Sequence, residues 1–176
     1  YYRWAKTLHK RRKWLIRNIY ISVVYEDRKK AILSDKIKLK GKQKVDVYTP
    51  DSIISKMFSY VESSTCFCDP ACGTGNILVF ITKELLKKNV AQKEIIDRIY
   101  GYEIDNNSVT ICIDRLKQLL PDIDKSLIEN KIKCLNTLND LSIQNKKYDA
   151  IVMNPPYEKD LHKEFMLWAQ KHSDKF

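Results

Sequence analysis

Long hydrophobic runs are missing from this chain of 176 residues. No stretch of about 18 consecutive apolar residues occurs, so we expect no segment to span a membrane. Tyr1 opens a basic, aromatic segment that lacks the apolar region of a secretory signal, and we therefore expect none. The length is sufficient for one ordinary hydrophobic core, which makes a single main domain the starting expectation.

Histidine is scarce, and none lies beside the cysteines. The chain contains three His and five Cys, of which Cys66, Cys68 and Cys72 are close in sequence. Without a neighbouring His they lack the remaining ligand of a tetrahedral zinc site, so we predict no metal and interpret them as small buried apolar side chains. An odd number of Cys without a secretory signal also favours reduced thiols inside a cell.

Acidic residues are few in the first quarter of the chain. Residues 1–44 hold 15 Lys and Arg against 3 Asp and Glu, whereas residues 45–176 hold 17 against 19. The formal net charge of +10 therefore comes entirely from the first segment. Such asymmetry is typical of a basic arm that meets a polyanion, most often a nucleic acid.

The basic arm is predicted to be helical over residues 1–33, where apolar side chains recur at helical spacings, with a lysine-rich linker over residues 34–47. Its basic side chains can bind phosphates, and its aromatic rings can stack on bases. A solvated helix whose aromatic stripe packs on the main domain explains the pattern equally well. The candidate phosphate-binding residues are Lys10, Arg11, Arg12 and Lys13.

Helix and strand patterns alternate from residue 48 onward. Thr49 is expected to cap the first helix, with Pro50 in its first turn. This alternation predicts an α/β fold with a mostly parallel sheet of about four strands and right-handed crossovers. The predicted helices cover residues 49–61, 76–88, 92–97, 106–120 and 161–172, and the predicted strands cover residues 65–69, 98–103, 131–135 and 148–153.

A glycine-containing turn, DPACGTG, comes after the first predicted strand at residues 69–75. Glycine at a strand-to-helix turn allows a tight bend and a close approach of the backbone to a ligand. The turn lacks both the third Gly of a dinucleotide fingerprint and the Gly-Lys-Ser/Thr of a phosphate loop. It therefore predicts a nucleoside-type cofactor site without a clear phosphate cradle.

An acidic residue, Glu103, ends the second predicted strand in YGYEID, 30 residues after Gly73. A carboxylate in this place can accept hydrogen bonds from both hydroxyls of a ribose. The alternative is a negative charge at the N-terminus of the next helix, a role that Asp105 fits better.

The last predicted strand runs into NPPY, Asn154–Tyr157. Two adjacent prolines cannot donate to a sheet ladder, so the strand must stop there. The segment is either a strand terminator with an exposed Tyr or a site that grips a planar group bearing an amino nitrogen.

Three segments, in this order, resemble the motifs of S-adenosylmethionine-dependent N6-adenine DNA methyltransferases: DPACGTG, YGYEID and NPPY. The segment TPDSIISKMF resembles the family's N-terminal motif, which closes over the methionine end of the cofactor. The resemblance covers residues 49–157. It implies a Rossmann-like class I methyltransferase sheet, with residues 45–176 as the N-terminal part of the catalytic domain. It also implies S-adenosylmethionine as cofactor and double-stranded DNA as partner, in a restriction–modification or phage setting.

The resemblance implies a role for each motif residue in holding the cofactor. Asp69 and the glycine turn would hold the methionine moiety, and Thr49 would contact its carboxylate. Glu103 would hold the ribose, Ile104 would pack on the adenine ring, and Asn136 stands where the family often has an Asp for the adenine amino group. The implied cofactor-binding residues are Thr49, Asp69, Pro70, Ala71, Cys72, Gly73, Gly75, Glu103, Ile104 and Asn136.

NPPY would carry the catalysis in this family. The Asn154 side-chain oxygen and the Pro155 carbonyl would each accept one N6 proton of a flipped adenine, and the stiffness that Pro156 adds would hold them in place. Tyr157 would stack on the target base. No general base is needed, and all three His are expected at the surface. The family's strand order would put the glycine turn and NPPY on neighbouring strands, at a topological switch point.

The chain departs from the family after NPPY. The remaining strands, a second base-gripping aromatic residue and the target-recognition domain are missing, and the last strand is expected to expose an apolar edge. Either the chain is a piece of a longer enzyme, which we favour, or a partner chain completes the sheet. We expect residues 1–176 alone to show weak methyl transfer or none, although cofactor binding could persist.

Other functions fit the same motifs. NPPY also occurs in methyltransferases that act on RNA or on protein glutamine, and a non-catalytic methyltransferase-like subunit could bind nucleic acid or a partner. Three features favour DNA as the substrate: the residues of DPACGTG, the preceding Thr-Pro segment and the basic arm. We accordingly expect a protein of the cytoplasm of a bacterial or phage-infected cell.

Overall fold

The computed structural model describes residues 49–176, so the predicted basic arm and linker, with the domain boundary at residue 45, lie outside the described residues and stay predictions. Helices and strands alternate through the described part. The helices are α1 (Asp51–Ser59), α2 (Asn76–Lys87), α3 (Gln92–Arg98), α4 (Asn106–Leu119), α5 (Lys125–Lys131) and α6 (Leu161–His172). The strands are β1 (Phe67–Asp69), β2 (Ile99–Glu103), β3 (Ile132–Cys134) and β4 (Ala150–Ile151). No helix within this range is long and apolar enough to cross a membrane.

The four strands form one parallel sheet in the order β3-β2-β1-β4. The chain steps outward from β1 to β2 and β3, and then returns to add β4 on the other side of β1. A reversal of this kind opens a crevice at the carboxyl ends of the adjacent strands β1 and β4. The prediction of a partial α/β sheet of about four strands is confirmed, as is the prediction that the glycine turn and NPPY come after neighbouring strands.

Apolar side chains alternate between the two faces of the sheet, because successive residues of a strand point to opposite sides. Phe67 and Ala150 join a large core with the buried faces of α1 to α5. Cys68 and Ile151 face a smaller core, where Trp168 of α6 packs among aromatic residues. Helices therefore cover both faces of the sheet, and every residue of β1 and β4 is buried.

Two local features differ from the predictions. Helix α5 was not predicted because it is short; Asp124 caps it by accepting a hydrogen bond from the Ser126 N–H at 2.9 Å, and Ile128 anchors it in the core. The prediction that Thr49 caps α1 is wrong. Pro50 occupies the N-cap position, and its carbonyl accepts the N–H groups of residues 53 and 54. The Thr49 side chain is thereby left for a tertiary contact.

The outer edge of β4 is partly covered, which corrects the expectation of a bare apolar edge. The N–H of Tyr148 donates to the carbonyl of His172 at 3.0 Å, and the N–H of Ile151 donates to the carbonyl of Lys175 at 2.8 Å. Ser173, in extended conformation, adds a bond from its hydroxyl to the Asp149 carbonyl at 3.1 Å. The residues after α6 therefore run beside β4 and satisfy part of its backbone.

Candidate active site at the carboxyl ends of the central strands

The glycine turn after β1 adopts a left-handed backbone at two positions, Gly73 with φ 51° and Gly75 with φ 86°. A Cβ atom on Gly75 would lie 2.4 Å from the Sγ atom of Cys112 on α4, so glycine is required there for close packing. A Cβ atom on Gly73 would meet no atom within 4 Å. The Gly73 side of the turn therefore faces open space, where a ligand can approach the backbone.

Contacts from distant parts of the chain hold the turn in shape. The N–H of Cys72 donates to the Tyr102 carbonyl at 2.9 Å, which fastens the turn to β2. Arg115 of α4 donates from Nη1 to the Thr74 carbonyl and to Oδ1 of Asn76, both at 2.7 Å. Arg115 was not predicted from the sequence, because no local signal ties it to a turn about 40 residues earlier. Its guanidinium fixes both the turn and the start of α2.

Glu103 ends β2 and reaches across to the glycine turn. Its Oε2 atom accepts the Gly73 N–H at 3.0 Å, and its Oε1 atom accepts the N–H groups of Ile104 at 2.7 Å and Asp105 at 3.0 Å. A carboxylate can accept about four hydrogen bonds, so one ribose hydroxyl can bind beside these three, and a second would share or replace one of them. Asp105 caps α4 by accepting from the Ser108 N–H at 3.0 Å, which confirms that it fits the helix N-terminal role better.

A second carboxyl group, that of Asp69, lies at the end of β1 and is 2% exposed. Its Oδ1 atom accepts the Ala71 N–H at 3.2 Å. Burial, with a smaller contribution from the negative charge of Glu103, raises the pKa of Asp69 from 3.8 to about 7, against the opposing effect of the Ala71 N–H. The two carboxyl groups thus end the adjacent strands β1 and β2, and both can accept hydrogen bonds.

The segment after β3 contacts the turn that follows β1. The buried Thr137 hydroxyl donates to the Pro70 carbonyl at 2.6 Å and so braces the Asp-Pro turn; this contact was not predicted from the sequence. Asn136 is exposed, and its Oδ1 atom accepts the Leu138 N–H at 3.1 Å. Ile104 is 69% exposed beside Glu103, an unusual position for a large apolar side chain. The sheet thus brings the ends of β1, β2 and β3 to one edge.

NPPY extends from β4 on the other side of β1. The Asn154 carboxamide is held at both ends: its Nδ2 atom donates to Oγ1 of Thr49 at 2.9 Å, and its Oδ1 atom accepts from the Tyr157 hydroxyl at 3.2 Å. Pro155 is buried and Pro156 is exposed. Residues from the start of α1 and the end of β4, assigned separately to the cofactor and to the target base, are therefore in direct contact.

Two histidines lie on helix α6. The His162 ring lies 5.4 Å from the Tyr157 ring at an angle of 35°, and its Nδ1 atom is buried without a hydrogen-bond partner among the described residues. His172 is 1% exposed, stacks on Trp168 with centroids 4.0 Å apart, and bonds through Nδ1 to the Lys146 carbonyl at 2.7 Å. The prediction of a surface position is wrong for His172, which is buried against Trp168, whereas His162 is half-buried. His9 lies outside the described residues.

The cysteines near the site behave as small core residues, as predicted. Cys68 is 1% exposed and Cys72 is 6% exposed, while Cys66 is half-buried. Burial raises the pKa of the Cys68 thiol, which stays neutral. Within residues 49–176 no group of three or more His, Cys, Asp or Glu side chains is arranged to hold a metal ion. The proposed phosphate-binding run Lys10–Lys13 lies outside the part of the chain that the structure describes.

Residues 21–175 match the family of N-6 DNA methylases, and the chain belongs to that family. The Type II methyltransferase M.VspI of Vibrio sp. (strain 343) is 36% identical over 119 residues, which are 66% of this chain and 26% of that protein. A modification subunit ascribed to a type I restriction enzyme of Vibrio vulnificus YJ016 aligns with a TM-score of 0.56 and 19% identity, over 81% of this chain and 34% of that chain.

A structure described as a class I S-adenosylmethionine-dependent methyltransferase of Listeria monocytogenes aligns with a lower TM-score of 0.49 and 18% identity, over 76% of this chain and 46% of that chain. The chain thus spans about a quarter of the curated relative and about a third of the Vibrio vulnificus subunit. The family match and the likeness to that subunit agree with the observed parallel sheet, and the predicted Rossmann-like methyltransferase fold is confirmed.

Proposed function

We propose that this chain forms the cofactor-binding and catalytic edge of a DNA adenine-N6 methyltransferase of a restriction–modification system. The observation that carries the proposal is the meeting of two motifs at one crevice: the glycine turn after β1 and NPPY after the adjacent parallel strand β4. The names of the relatives, a Type II methyltransferase and a modification subunit of a restriction enzyme, support DNA as the substrate. DNA is the polyanion that the excess of Lys and Arg in residues 1–44 would meet.

The residues of the crevice fit S-adenosylmethionine by their chemistry. This cofactor carries a cationic ammonium group, a sulfonium and two ribose hydroxyls, and the crevice offers the carboxyl groups of Asp69 and Glu103 as acceptors. The open side of Gly73 leaves room for the cofactor beside the turn. When bound, S-adenosylmethionine supplies a methyl group on a sulfonium, a leaving group that needs no further activation.

Asn154 and Pro155 would activate the nitrogen that receives the methyl group. The N6 lone pair of adenine is delocalised into the ring, which makes the amino group a poor nucleophile. When Oδ1 of Asn154 and the carbonyl of Pro155 each accept one N6 proton, the nitrogen shifts toward tetrahedral geometry and its lone pair leaves the ring plane. One N6 proton passes to water after transfer, so the site needs no general base.

Tyr157 would hold the flipped adenine by stacking. Its ring is backed by the His162 ring at 5.4 Å and 35°, and its hydroxyl is tied to Asn154 at 3.2 Å. An aromatic ring that is fixed on two sides loses little freedom when a base stacks on it. Extrusion of the base from the duplex is required, because N6 lies inside the stack of base pairs.

The proposal is tested with the full-length protein, duplex DNA and isotope-labelled S-adenosylmethionine, followed by mass spectrometry of the nucleosides. We expect N6-methyladenine. Asn154→Ala should abolish transfer while cofactor binding by calorimetry is retained, and Glu103→Ala should weaken cofactor binding first. Asn139→Ala, at an exposed asparagine in the loop after β3, is the matched control.

Three results would contradict the proposal in different ways. Label on RNA or on protein glutamine instead of DNA would favour the alternative substrates of NPPY enzymes. Cofactor binding without transfer to any of these would favour a non-catalytic subunit. Full activity of both the Asn154 and Glu103 variants would remove the assigned roles.

The polypeptide of residues 1–176 is expected to show weak transfer or none.

A further inference from the structure

Thr49 makes a tertiary contact with Asn154 that the sequence did not predict. Its Oγ1 atom lies 2.9 Å from Nδ2 of Asn154, although 105 residues separate the two. Thr49 is buried, with 8% exposure, and Pro50 fixes it at the start of α1 by capping the first turn. The Thr49 hydroxyl is therefore buried and sits at a fixed backbone position, unlike the hydroxyl of a mobile surface residue.

The direction of the Asn154 amide decides whether the site can work. The two ends of a carboxamide have nearly the same size, but the oxygen accepts hydrogen bonds and the nitrogen donates them. A target amino group brings protons that need acceptors. An amide turned around would present its own N–H groups to those protons, and the resulting donor–donor contact would repel the base.

Neither neighbour of Asn154 fixes the amide direction when considered in isolation. Thr49 and Tyr157 both contact the carboxamide through hydroxyl groups, and a hydroxyl can either donate or accept. With Thr49 accepting, Asn154 turns its oxygen toward Tyr157, as observed. With Thr49 donating, the reverse orientation is equally well bonded. The direction in which the Thr49 hydroxyl donates its single proton therefore determines the orientation of the Asn154 amide.

We propose that Thr49 is a positioning residue that couples cofactor binding to the orientation of the Asn154 amide. The inference rests on the proposed function. A carboxylate of the cofactor that takes the Thr49 proton in a hydrogen bond leaves that oxygen able only to accept from Asn154. Asn154 must then donate to Thr49 through Nδ2, and its Oδ1 atom is presented to the amino nitrogen of the base. The cofactor thus sets the acceptor in its productive direction before the base arrives.

The first test compares Thr49→Val, which keeps the shape but removes the hydroxyl, with Thr49→Ser, which keeps the hydroxyl. In the full-length protein at saturating cofactor and DNA, the Val variant should lower kcat by about tenfold to a hundredfold, because a misplaced acceptor costs rates of that order. The Ser variant should stay within about threefold of the wild type. Thr110→Val, at an exposed threonine of α4, is the matched control and should leave kcat unchanged.

The second test measures binding without turnover. Calorimetry compares S-adenosylmethionine with 5′-methylthioadenosine, which lacks the amino-acid part and its carboxylate. Thr49→Val should weaken S-adenosylmethionine binding by about tenfold, the order expected for one hydrogen bond to a charged group. It should leave the affinity for 5′-methylthioadenosine unchanged. Equal loss for both compounds would indicate general damage to the crevice and would overturn the coupling, as would unchanged binding of S-adenosylmethionine.

The outcomes separate this inference from the proposed function. A wild-type protein that forms no N6-methyladenine overturns both. An active wild type whose Thr49→Val variant keeps its kcat at saturation, with only weaker cofactor binding, overturns the inference and reduces Thr49 to a cofactor contact. Equal losses in the Val and Ser variants also overturn it, since shape would then matter and not the hydroxyl. If melting curves show that the Val variant does not fold, Thr49→Ala takes its place in the same comparison.

Discussion

Replacing Asp69 by Asn should make the protein more stable and its cofactor binding weaker. Asp69 is 2% exposed at the end of β1, where burial, with a further contribution from Glu103, raises its pKa from 3.8 to about 7. Asn keeps the side-chain shape and an oxygen that can accept the Ala71 N–H, but it cannot become charged. The substitution therefore removes the cost of an ionised carboxylate in a buried position and leaves the local contacts in place.

The magnitude is set by the shift of the Asp69 pKa. The folded state keeps the proton up to about pH 7, whereas the unfolded state loses it near the ordinary value of 3.8. Between these values the folded state binds more protons, so the free energy of unfolding falls as pH rises from about 4 to about 7. A shift of about three units at about 1.4 kcal/mol per unit sets an upper limit of about 4 kcal/mol. Asp69→Asn should gain up to that amount over the wild type between pH 4 and pH 8.

The measurement is urea unfolding of the two proteins without cofactor, followed by circular dichroism at several pH values. Asp174→Asn, at an exposed carboxyl, is the control and should not change the pH dependence. Calorimetry should show weaker binding of S-adenosylmethionine to Asp69→Asn, because the carboxylate that would face the cofactor's positive charge is gone. A stability difference between wild type and Asp69→Asn that is the same at pH 4 and pH 8 would refute the assignment of a raised pKa.

Two further sets of variants give clear expectations. Gly75→Ala should destabilise the protein by about 2 kcal/mol or more in urea unfolding, because its Cβ would lie 2.4 Å from the Cys112 Sγ atom at a φ of 86°. Gly73→Ala should cost only the strain of a left-handed backbone, about 1 kcal/mol, but should weaken cofactor binding because its Cβ fills the open side of the turn. Equal losses of stability in the two glycine variants would contradict this reasoning. Neutralising Arg11, Arg12 and Lys13 should weaken DNA binding uniformly across sequences. It should also reduce the slope of log affinity against log salt by about one per removed charge. An unchanged slope in a filter-binding titration would indicate that these residues do not bind DNA phosphates.

Local patterns in the chain were sufficient to predict most of the architecture. The alternating helix and strand patterns, the Gly73–Gly75 turn and the cap at Asp105 depend on residues a few positions apart, and such short-range preferences are written directly in the sequence. The resemblance to the methyltransferase family, and not a local pattern, predicted that the strands before the glycine turn and NPPY would be neighbours. Short elements were the exception: α5 spans only seven residues, and its period is too brief to separate it from a loop.

The contacts that shape the site depend on how distant segments pack, and no local pattern reports them. Thr49 was expected to cap a helix and instead holds Asn154, because Pro50 takes the cap and β4 lies beside β1. Arg115 reaches the glycine turn only because α4 lies against it. Hydrogen bonds within a helix or turn follow from sequence spacing, whereas bonds across about a hundred residues exist only once the sheet has fixed its strand order.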